Sequence, residues 1–90
     1  MRIQLTQQDV DQGVRGSFYH CPWALALRRL RPGRELLVSN DSIKDGAGDT
    51  LYLLPRHIVA WIELYDSFGQ GDGWESLSFE LPSRLGAPHP

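Results

Sequence analysis

Apolar and polar residues alternate from the start of the chain, with Ile3 and Leu5 on one side and Arg2, Gln4 and Thr6 on the other. A period of two predicts a half-buried strand over 2–6. Thr6 is placed to cap a short helix, with Asp9 three residues on to answer the free amides and Gly13 to stop it. Residues 13–21 read as a loop carrying Arg15, Gly16, Ser17 and the run Phe18-Tyr19-His20. Pro22 then stands where proline is best tolerated, at the first position of a helix reaching about Leu30. At helical spacing Trp23, Ala26, Leu27 and Leu30 share one face, while Leu25 falls on the other side between Arg28 and Arg29 and needs a second neighbour to cover it.

Pro32-Gly33 ends that helix and turns the chain. Residues 35–39 are short, apolar and bounded by turn residues, which predicts a strand, and Asn40-Asp41 turns it into a second short strand around Ile43. The run 45–49 (Asp-Gly-Ala-Gly-Asp) is a hairpin loop, returning through Leu51, Tyr52, Leu53 and Leu54. Pro55 opens the clearest helix, in which Ile58, Trp61, Ile62, Tyr65 and Phe68 form one stripe. Glycines at 69, 71 and 73 stop it, and Glu75 to Leu81 alternates, with Leu77, Phe79 and Leu81 inward.

The order β, α, α, two or three β, α, β, without an internal repeat, predicts an α+β fold. We expect a small single domain over 1–81, an antiparallel or mixed sheet of about four to five strands with helices on one face. Residues 82–90, rich in Pro, Gly and Ala, are expected to be a disordered tail.

Ninety residues hold one domain with a small core. That small core, the three tryptophans and Leu25 set opposite the Trp23-Leu27-Leu30 face predict a homo-oligomer, most simply a twofold dimer. The net charge of −2 gives no global attraction to nucleic acid or to an anionic membrane, so any such attraction must be local. A single cysteine, Cys21, excludes an internal disulfide, and no apolar run approaches a signal or membrane-spanning length. A cytoplasmic protein without membrane contact is the expectation.

No Walker loop, dinucleotide fingerprint or Gly-x-Ser-x-Gly elbow occurs, so a non-enzymatic protein without a cofactor is expected. His20, Cys21, His57 and His89 are the only soft metal ligands and lack the paired spacing of a zinc site, so no metal is expected either. The strongest signal is basic: Arg28, Arg29, Arg31 and Arg34 fall within seven positions. Such a cluster either complements the negative end of a helix or forms a surface that meets an anion. A second candidate precedes the same helix, where Arg15, Tyr19 and His20 either staple the core or hold an anion and stack on a base.

The residues Ile3-x-Leu5-Thr6-x-x-Asp9-Val10, Cys21-Pro22-x-Ala24-x-Ala26, Leu54-Pro55-x-x-Ile58-x-x-Trp61-Ile62-x-x-Tyr65-Asp66 and Ser78-Phe79-Glu80-Leu81 resemble a family of short, uncharacterised proteins encoded by bacteriophages and prophages. The resemblance covers most of the chain apart from 31–50 and the tail, supplies no catalytic residue, and implies a phage setting in which small proteins block host defences. The expected function is therefore stoichiometric binding of a host defence partner, either a nucleotide signal or a nucleic-acid-handling effector. The alternative is a small DNA- or RNA-binding regulator using the same arginines, against which the acidic net charge argues.

Overall fold

A computed structural model of the protein describes residues 2–69 and 73–81. The alternation at the N-terminus becomes strand β1 (Arg2–Gln4), which pairs antiparallel with strand β5 (Ser78–Glu80) so that Ile3 lies opposite Phe79. Both of those side chains enter the core. Thr6 caps helix α1 (Gln7–Gln12) reciprocally: its Oγ1 accepts from the Asp9 amide at 3.2 Å, and the Asp9 carboxylate accepts from the Thr6 amide at 2.9 Å. This capping box satisfies two amides that a helix end would leave without partners.

Helix α2 (Pro22–Leu30) begins at Pro22, and helix α3 (Arg56–Phe68) follows Pro55 and ends at Gly69. Gly69 has φ of 70°, the left-handed conformation that lets the chain leave a helix and that a side chain would resist. Between the two helices lies a meander of three antiparallel strands, β2 (Leu36–Val38), β3 (Ser42–Asp45) and β4 (Thr50–Leu53), in that spatial order. Its first turn is held by the buried Ser39 and Ser42, whose hydroxyls meet at 2.7 Å. The second is held by the Asp45 carboxylate, which accepts from the amides of Ala47 and Asp49. An aspartate bonding its own loop in this way fixes a turn without help from the core.

The described residues thus form a small α+β domain of three helices and five strands, the strands divided between two antiparallel sheets of two and three. Among the described residues no ladder bond joins the sheets; side chains do. Tyr65 stacks on Trp61 at 5.1 Å between ring centres, Trp61 meets Trp23 edge to face at 6.3 Å, Trp23 packs on Phe79 at 5.3 Å, and Phe79 stacks on Tyr52 at 6.0 Å. This column runs from α3 through α2 and β5 to β4, and so crosses both sheets.

Three local expectations change. Residues 74–76 form a single 3-10 turn, so the last strand is confined to Ser78–Glu80 and Leu77 is only half-buried. Phe68, expected in the buried stripe of α3, is 67 % exposed beside Leu64, one helical turn earlier at the edge of that stripe. The expected tail over 82–90 lies outside the described residues.

The column and the cap differ in what they hold, and stability should show it. Phe79→Ala is expected to cost about 3 to 5 kcal/mol, the range for a large buried aromatic, and Thr6→Ala about 1 kcal/mol for a lost cap. Urea titration followed by tryptophan fluorescence measures both, and equal losses would show that the aromatic column does not join the sheets.

Candidate functional site

Helix α1 lies against α2, so Gln8, Asp9 and Gln12 face Leu25, Arg28 and Arg29 across a groove of about 310 Å3. Residues three and four apart share a helix face, which is why Gln8 lines up with Gln12 and Leu25 with Arg28 and Arg29. The neighbour that Leu25 required is therefore α1 of the same chain, and Leu25 ends half-buried.

The four clustered arginines separate. Arg29 donates to the Asp9 carboxylate at 2.6 Å and to the Gln4 carbonyl at 3.3 Å. Asp9 is only 6 % exposed, so this charge-assisted bond holds α1, α2 and the end of β1 together while the Arg29 side chain stays 45 % exposed. Arg28 reaches back toward the start of its helix and donates to the Tyr19 carbonyl at 2.6 Å. That acceptor is neutral, so the bond leaves the charge of Arg28 uncompensated. Arg31 and Arg34 do not line the groove, because they stand at the two ends of the Pro32-Gly33 turn, closed by the Arg34 amide on the Arg31 carbonyl at 3.2 Å. Proline followed by a glycine at φ of 83° is the type II arrangement. Arg31 folds onto the Leu30 carbonyl and buries its Nε without an acceptor among the described residues.

The second candidate, the loop over 13–21, also divides. Arg15 donates to the carbonyls of Asp66 and Ser67, and the Gly16 amide donates to the Asp66 carboxylate at 3.0 Å. A guanidinium on the last carbonyls of a helix satisfies acceptors that would otherwise lack donors, so Arg15 acts as a cap for α3 and stands apart from the groove. The loop is pinned further by Val38 N–H on the Phe18 carbonyl, the His20 amide on Ser17 Oγ, and the Tyr65 hydroxyl on the Gly13 carbonyl. Despite these ties Tyr19 and Phe18 remain 42 % and 45 % exposed, and His20 is exposed beside them. The loop presents its aromatics more than it buries them. Through the Arg28 bond, Tyr19 is attached to the groove residues.

Cys21 is 6 % exposed at the start of α2. Burial pushes its thiol up to about 11, outweighing the amides of Ala24 and Trp23, which favour the thiolate. It borders a cavity of about 10 Å3, no roomier than one water requires. His57 lies apart on α3, its Nε2 3.3 Å from the Ser78 carbonyl. Among the described residues no three His, Cys, Asp or Glu side chains converge as a metal site would need.

Compared with known protein families, with curated proteins and with solved structures, the chain matches none. The basic cluster marks Arg28 and Arg29 of this groove in the sequence, whereas no local motif marks Gln8 and Gln12. The signal for them was Leu25, an apolar residue on a polar face with no visible cover.

The state of Cys21 has a measurable pH signature. A thiol whose folded pKa is raised from 9.0 to about 11 contributes stability that is complete below pH 9 and is lost as pH rises toward 11. Two units correspond to at most about 2.7 kcal/mol, and Tyr65, also raised by burial, adds a further loss in the same direction at higher pH. Chemical denaturation across pH 8 to 11 should show this decline, and Cys21→Ala should flatten its lower part. A thiol reagent at pH 8 should modify Cys21 only after unfolding.

Proposed function

We propose that this protein is a non-enzymatic binding domain that works by stoichiometric capture of an anionic ligand in the groove between α1 and α2. The observation that carries this reading is Arg28, an exposed guanidinium held in place by a neutral carbonyl, beside the apolar Leu25 and the amides of Gln8 and Gln12. A cation fixed by a carbonyl keeps its charge for a ligand and loses little further freedom on binding. The buried, protonated thiol of Cys21 supplies no nucleophile, which favours binding over covalent chemistry.

The setting follows the resemblance to phage and prophage proteins: in the cytoplasm of a bacterial host, the captured ligand is a nucleotide signal of a defence system or an anionic surface of its effector. A regulator of duplex DNA is less well supported. Arg29 is already neutralised by Asp9, and Asp11 is exposed on the same short helix, whereas duplex binding requires several phosphates to be matched by cations.

Arg28→Ala and Arg31→Ala separate the groove from the turn. Removing Arg28 deletes one charge-assisted contact worth about 1.5 to 3 kcal/mol, so affinity for labelled anionic nucleotides should fall about tenfold or more. Arg31→Ala should leave it within about twofold, since exposed or self-folded arginines contribute little. Expressed in a defence-carrying host, the protein should restore phage plating, the Arg31 variant likewise, and the Arg28 variant poorly. Equal effects of the two substitutions would reject the groove as the site.

A further inference from the structure

Resting on the anion-capture reading, we infer that the groove between α1 and α2 accommodates one nucleotide unit, a nucleoside monophosphate or a single residue of a larger nucleotide. The groove is open to solvent and lined by six residues of two helices, a footprint that faces one nucleotide unit. Its length is bounded as well, since α1 has only six residues and is about 9 Å long, which leaves no track for a partner helix.

The chemistry of the lining matches the parts of a nucleotide. Arg28 offers a planar donor fork to a phosphate, while the Arg29 charge is balanced by Asp9 at 2.6 Å. One uncompensated cation suits a ligand of one or two negative charges. Gln8 and Gln12 each carry an amide that donates and accepts, the combination that reads the edge of a base. Leu25 supplies an apolar surface for the ring. Asp11, exposed on the same helix, disfavours an extended polyanion, which would have to pass beside it.

The test is titration of the isotope-labelled protein with the four ribonucleoside monophosphates, followed by NMR. The corresponding nucleosides, inorganic phosphate and a 20-base-pair duplex serve as the other probes. One-to-one saturable shifts of the Gln8, Gln12, Leu25 and Arg28 amides by a monophosphate, at least tenfold tighter than by its nucleoside or by phosphate, are expected. Gln12→Leu should alter the ranking among bases, and Arg28→Ala should weaken all four monophosphates about tenfold. If phosphate binds as tightly as the nucleotides, or if only the duplex shifts these amides, the single-nucleotide assignment is overturned and anion capture stands. If none of these anions moves them and Arg28→Ala still restores phage plating, both readings fall.

Discussion

The packing of Phe79 between Trp23 and Tyr52 is the interaction on which the rest of the structure depends. Among the described residues the five strands fall into two sheets that share no ladder, so strand pairing does not hold the β1 and β5 pair to the β2 to β4 meander. Phe79 belongs to the first, Tyr52 to the second, and Trp23 and Trp61 continue the contact into both longer helices. A short strand pair is marginal by itself in water, and burial of large aromatic surface is what makes this one persist. The same column fixes the position of α2, and hence where its outer face meets α1.

On that outer face, electrostatics and geometry sort arginines that are adjacent in the chain. Arg29 is drawn to Asp9 because the capping box has already placed that carboxylate, buried, at the start of α1. Arg28, one position earlier and about 100° around the helix, meets no carboxylate among the described residues and settles on the Tyr19 carbonyl. Arg31 and Arg34 leave the helix altogether because Pro32-Gly33 turns the chain between them. Four like charges within seven positions thus become an interhelical clamp, an anchored donor and the two ends of a turn. Arg15 is diverted in the same manner, to the carbonyls that end α3.

Much was legible from local pattern. The capping pair Thr6 and Asp9, the helix from Pro22 to Leu30, the hairpin closed by Asp45 and the stop at Gly69 are each decided by residues a few positions apart, and each stands where its chemistry places it. Where the pattern misled, the position of a residue on the helix surface was responsible. Phe68 continues the periodicity of α3 but lies at the edge of its stripe, so a correct helical spacing still leaves an exposed aromatic.

The sequence by itself determined the fold class, the order of the elements and most of the core, because capping, turn chemistry and hydrophobic period act over one to four residues. Which arginine keeps its charge uncompensated, which is neutralised and which merely caps a helix was decided only by the tertiary structure. A guanidinium takes its role from the carboxylate or carbonyl that folding brings within about 3 Å. Those partners, Asp9 for Arg29, Tyr19 for Arg28 and Asp66 for Arg15, lie nine to 51 residues away in the chain.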